Sequence, residues 1–108
     1  MLVVLTTTAV AGDPEANSAN HYLAACRELA SQQSPSQSFA QGECIGVIAA
    51  LSYVAKDLPA DIQACISRVT NAQLAAVVVD WLDHNPERWR EDFRSLVLEA
   101  LHDRWPCI

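Results

Sequence analysis

The residues best equipped for chemistry in this chain are four cysteines, three histidines and a small group of acids. The cysteines are Cys26, Cys44, Cys65 and Cys107, and no two of them form a Cys-x-x-Cys pair. The close ligand spacing of common zinc sites and the thioredoxin-like redox motif are therefore both missing. In an exported chain an even number of separated cysteines reads as two disulfides, which leaves no thiolate for nucleophilic work. The histidines are His21, His84 and His102. His21 and His102 fall on helical stretches and His84 at a helix end beside Asn85-Pro86, ordinary surface positions for histidine, so no metal site is expected. Asp80, Asp83 and Glu87 gather near the same turn. Paired carboxylates can carry acid–base catalysis, but these fit a solvated helix face and the first turn of a following helix, where acids favour the dipole. Trp81, Trp89 and Trp105 sit at helical core positions rather than forming a stacking platform. The chain has no Gly-x-Ser-x-Gly elbow, no Walker loop and no His-Glu-x-x-His. With no nucleophile–base set to assemble, it is expected to be neither an enzyme nor a cofactor carrier. Binding or inhibition is the work left to it.

The bulk properties narrow the partner. The chain has 108 residues, enough for one domain, and 51% of them are hydrophobic, so it can bury a core. A core of this size is modest, and covalent staples would help it. The formal net charge of -6 argues against nucleic acid or an anionic membrane, both of which need a basic face. Leu2 to Val10 is an uncharged apolar stretch that ends in Ala9-Val10-Ala11, a small-x-small pattern of signal-peptidase sites. Residues 1–11 are thus expected to be the tail of an export signal cleaved after Ala11, although no lysine or arginine precedes the stretch. The mature part, 12–108, holds no run long enough to span a bilayer.

Four helical patterns must position these residues. The first opens at Asp13-Pro14 and carries Ala19, Tyr22, Leu23, Cys26 and Leu29 or Ala30 on one face. The second opens at Ser38, with Gln41 placed to complete a capping box. It carries Cys44, Val47, Ile48, Leu51, Val54, Ala55 and Leu58 on its buried side. Gly42, Gly46 and Ala50 lie four apart along it, spacing that lets another helix approach closely. The third opens at Thr70, with Gln73 again at the capping-box position, and runs through Leu74, Val77, Val78, Trp81 and Leu82. Asn85-Pro86 ends it and is expected to open the fourth, with Asn85 as cap and Trp89, Phe93, Leu96, Val97, Ala100, Leu101 and Trp105 on the apolar face. Short connections favour antiparallel neighbours. The expected fold is therefore all-α: four helices in two antiparallel hairpins with two disulfides. Four cysteines allow three pairings. In antiparallel hairpins the end of one helix meets the start of the next, which places Cys26 by Cys44 and Cys65 by Cys107.

The order of these pieces resembles the Rap/Tai family of immunity proteins. The resemblance rests on Cys44-x-Gly46, Cys65-Ile66 with Val69-Thr70 and Gln73-Leu74, Val77-Val78-Val79 with Trp81-Leu82, His84-Asn85-Pro86-Glu87-Arg88, Leu96-Val97-Leu98-Glu99-Ala100-Leu101 and the terminal Trp105-Pro106-Cys107. It runs from Cys26 to the C-terminus. The chain departs from the family pattern at Val47, Ala50, Ser67 and Trp105, which are packing and turn positions. The resemblance implies a periplasmic protein that binds and inhibits a peptidoglycan amidase effector of a type VI secretion system, and it implies a homodimer. The alternative is a small periplasmic chaperone or stress-binding module without a toxin partner. For an inhibitor, the connector 56–63 is the expected partner-binding segment. It joins the two hairpins and belongs to neither, and it carries Asp57, Asp61 and Gln63 around Pro59. Proline limits the ordering entropy lost on binding, and carboxylates suit a catalytic cleft that contains histidine.

Overall fold

The computed structural model describes residues 14–31 and 38–108. The expected export signal and its cleavage site, the capping residue Asp13 and most of the 31–37 loop lie outside them. Four α-helices follow in order: α1 (Ala19–Ser31), α2 (Phe39–Val54), α3 (Asn71–Asp83) and α4 (Phe93–Arg104). A single 3-10 turn at Pro14–Asn17 precedes α1, and others at Ala55–Asp57 and Pro86–Arg88 lie between α2 and α3 and between α3 and α4. Among the described residues there is no strand beyond two isolated bridges, Ser18 with Asp92 and Ala64 with Pro106. No described helix is long and apolar enough to cross a membrane. The all-α architecture with two disulfides is as the sequence implies.

Both bridges have the expected pairing. Cys26 and Cys44 join α1 to α2 across 5.6 Å between Cα atoms. Cys65 and Cys107 join the residue that precedes α3's approach to the end of the chain across 5.1 Å. Their surroundings differ. Cys26 and Cys44 are fully buried in the core, whereas Cys65 is exposed. The core runs through all four helices: Leu23 and Leu29, Ile45 and Ile48, Val78 and Leu82, then Phe93, Leu96, Val97 and Leu101. Tyr22 of α1 stacks on Phe93 of α4 with centroids 4.4 Å apart. Beyond its hairpin partner α2, α1 packs extensively against α3. The two hairpins therefore share one core.

Helix starts divide into those set locally and those set by the tertiary fold. The Thr70 capping box is complete: the Thr70 amide donates to Gln73 Oε1 at 2.7 Å and the Gln73 amide to Thr70 Oγ1 at 3.1 Å. At α2 only half of the expected box forms. Ser38 Oγ accepts from the Gln41 amide at 3.2 Å, but the Gln41 side chain turns to α1 and donates to Glu28 Oε2 at 2.9 Å. A charged acceptor makes the stronger bond, and Gln41 is buried beside it.

The fourth helix does not start at Asn85-Pro86. The Asn85 side chain donates back to the Trp81 carbonyl at 2.8 Å, and the Trp89 indole donates to the Leu82 carbonyl at 2.7 Å, so both close the end of α3. The Trp89 and Glu91 carbonyls accept from the Asn20 and Ala19 amides at 3.0 and 3.1 Å. Those amides are orphan donors at the start of α1. A carbonyl aimed across at α1 is not available along its own helix, so α4 begins only at Phe93, capped by Asp92, whose Oδ1 accepts from the Arg94 amide. The same crossing displaces α1, which starts at Ala19 rather than at Pro14.

One expectation about α2 fails outright. Among the described residues no helix approaches Gly42 or Gly46: a Cβ built on either meets nothing within 4 Å, and Ala50 is exposed. The core takes the opposite face through Cys44 and Ile48, both fully buried. Val54, expected on the buried side, is 42% exposed.

Candidate functional site

The segment between the hairpins is a closed loop with a fixed base. It leaves the core at Ala55 and returns at Ala64, both of which are buried. The Ala55 carbonyl accepts from the Ala64 amide at 3.2 Å and, more weakly, from the Leu58 amide at 3.4 Å. Ile62 donates to the Pro59 carbonyl at 3.0 Å, which makes the tip a turn. Gln63 is half-buried, and its side-chain amide donates to the Lys56 carbonyl, so it braces one limb of the loop against the other. The carbonyl of Gln63 accepts from His102 Nδ1 of α4 at 2.6 Å. One residue on, Ala64 pairs with Pro106, the Cys65 amide donates to the Trp105 carbonyl at 2.8 Å, and the disulfide to Cys107 follows.

Asp57 and Asp61, the two acids expected to meet a partner, are exposed on this loop, as are Lys56, Pro59 and Ala60. Gln63 is brought to the same loop, but its side chain is spent on Lys56 inside it. The arrangement holds two carboxylates on a short projection whose ends are tied to the core. Such a projection loses little conformational entropy when it enters a cleft. The sequence places His102 on a helix but does not connect it to this loop. Its partner lies 39 residues away and is a backbone atom, which no side-chain pattern marks.

The acids near the α3 end do not act as one group. Asp83 is paired with Arg27 of α1, whose Nη1 lies 2.9 Å from Oδ2. That hydrogen bond holds the Asp83 carboxyl below the usual aspartate range. Asp80 lies near His84, whose Nδ1 donates to the Asp80 carbonyl at 2.7 Å. That bond, with the Asp80 carboxylate behind it, raises the His84 pKa. Glu87 is exposed on the next turn. An open groove of about 580 Å³ lies between α3 and α4, lined by Val77, Asp80, Trp81, His84, Asp103 and Arg104 among others. Trp81 Nε1 donates to Asp103 Oδ2 at 2.7 Å, and Arg88 stands over the Trp81 ring at 5.4 Å. Arg88 also binds Glu91 and Glu99, which lowers the pKa of Glu91. These contacts neutralise charge within the fold, and nothing in them pairs a base with a nucleophile. Among the described residues no group of three histidines, cysteines or acids could hold a metal ion.

A family model described as Rap1a immunity proteins matches residues 18–107. No curated protein and no solved structure shows significant similarity to the chain.

Proposed function

The chain belongs to the Rap1a immunity protein family, and on that premise we propose that it neutralises a peptidoglycan amidase effector delivered by a type VI secretion system. Immunity proteins bind toxin effectors, so the partner is a protein. The site of action in this reading is the periplasm, reached after cleavage behind Ala11. Two bonded cysteine pairs support an oxidising compartment. The observation that carries the reading is the family match over almost the whole described chain, 18–107.

The loop at 56–63 is the proposed inhibitory element. Asp57 and Asp61 are exposed on it, and its base is held by backbone bonds, by α4 and by a disulfide. Carboxylates entering a cleft with a catalytic histidine would be favoured electrostatically and would block the substrate's path. The proposed homodimer has a candidate surface in the open side of α2. Gly42 and Gly46 leave room there, and Phe39 and Tyr53 stand 85% and 79% exposed at its ends.

The test is co-purification of the oxidised chain with the product of the neighbouring gene, if that gene encodes an amidase with a catalytic Cys-His pair. A stable complex supports the reading. An amidase that is encoded beside this chain and does not bind it overturns it.

A further inference from the structure

We propose that His102 is the positioning residue of the 56–63 loop: its Nδ1–H holds the Gln63 carbonyl and so sets where Asp57 and Asp61 stand relative to the helical core. The inference rests on the reading of that loop as the effector contact, and the experiment below separates the two.

The loop makes little core of its own. Between the buried ends Ala55 and Ala64, residues 56, 57, 59, 60 and 61 are exposed, and 58, 62 and 63 are half-buried. Burial alone therefore does not fix it. Gln63 is the node through which it is fixed. Its side chain holds the Lys56 carbonyl on the outgoing limb, and its own carbonyl is held by His102. Fixing Gln63 thus fixes the backbone next to Asp57 on one side and Asp61 on the other. His102 is suited to the task because α4 is rigid where it sits. Ala100 and Leu101, just before it, are 1% and 0% exposed. The bond spans 39 residues of sequence and ties the loop to a helix of the second hairpin. A ring nitrogen beside a carbonyl must carry the proton, so Nδ1 donates in the neutral Nδ1–H form and also in the charged form. Without this bond the loop would keep its internal bonds and its base at Ala55 and Ala64 but lose its tie to α4, and binding would have to set its position against the core.

The experiment is hydrogen exchange on the oxidised full chain and three variants. His102→Ala removes the ring, His102→Phe keeps its bulk without the donor, and His102→Asn keeps a donor near the Nδ1 position. The amides of Leu58, Ile62 and Ala64, all bonded within the loop, report on loop opening. Val78 and Leu82 in α3 report on the core. Loss of one buried-side hydrogen bond should speed loop exchange about fivefold or more in the Ala and Phe variants. The Asn variant should stay near wild type, and the core amides should not change. Unchanged loop exchange in the Ala and Phe variants overturns the positioning role. Equal acceleration of loop and core also overturns it, because His102 would then be a packing residue. Binding of the cognate amidase that co-purifies with the chain is measured on the same proteins. Weaker binding by the Ala and Phe variants, restored in the Asn variant, supports both statements. A loosened loop with undiminished binding leaves the positioning role standing and refutes the loop as the effector contact.

Discussion

Mild reduction should open the two disulfides one at a time, Cys65–Cys107 first. Thiol–disulfide exchange needs access to a sulfur. Cys65 is exposed, while Cys26 and Cys44 show no surface at all. The outer bridge closes 42 residues of sequence and the inner one 18. In the chain-entropy account the outer bridge then contributes about 4 kcal/mol and the inner about 3 kcal/mol. Losing about 4 kcal/mol should lower the Tm of a domain near this size by roughly 15–30 °C. The protein should nevertheless stay folded at low temperature, because the core cluster and the buried Cys26–Cys44 bridge remain. The assay is graded reduction with a thiol reagent, differential alkylation read by mass spectrometry, and a melting curve at each stage. The expected record is an intermediate alkylated at Cys65 and Cys107 only, with retained helicity and a lower Tm. Alkylation of Cys26 and Cys44 first, or of all four cysteines together under native conditions, would refute the argument from burial.

Three further outcomes follow from the same structure. Asp57→Ala with Asp61→Ala should leave the melting temperature nearly unchanged, since both side chains are exposed. In calorimetric titration against the cognate amidase the pair should cost about 2 kcal/mol or more, roughly a 30-fold rise in Kd. Gly46→Ala should stabilise the chain by about 1 kcal/mol in urea unfolding at a protein concentration low enough to dissociate the proposed dimer, because an added methyl meets open space in the single chain and the helix gains propensity; destabilisation there would contradict the open face. The Asp83 carboxyl is held below its ordinary value of 3.8 by Arg27, so its stabilising contribution is present above that value and is lost as pH falls through the depressed one. Arg27→Gln should therefore be less stable than wild type near neutrality, and the gap should close as pH falls below the ordinary aspartate range; a gap that widens in acid would contradict the pairing.

What the sequence revealed and what it hid divide along physical lines. The disulfide pairing was readable because it depends only on helix order and antiparallel turns, and Cys26 and Cys44 fall at the matching ends of their hairpin. The Thr70–Gln73 box was readable because all its bonds lie within four residues. The start of α4 was not. Asn85-Pro86 is a sound local signal, but the carbonyls of Trp89 and Glu91 are claimed by the first amides of α1, far away in sequence. Gln41 left its expected box for the same kind of reason, since Glu28 offered a charged acceptor. The glycine spacing on α2 was legible as a pattern but not as a contact, because sequence does not say which face the core will choose. Within the candidate site, Asp57 and Asp61 could be singled out by their place between hairpins. The brace through Gln63 and His102 could not, since both of its acceptors are backbone carbonyls.

If the chain blocks an amidase, as proposed, hydrolysis of peptidoglycan must stop when the two are mixed. Purified peptidoglycan is incubated with the cognate amidase, once it is identified, while the oxidised chain is titrated in, and released peptide ends are counted. Hydrolysis should fall linearly to the background at a fixed molar ratio of chain to enzyme, and the Asp57→Ala, Asp61→Ala protein should need a large excess to reach the same point. Hydrolysis that continues at full rate under excess chain would contradict the proposal.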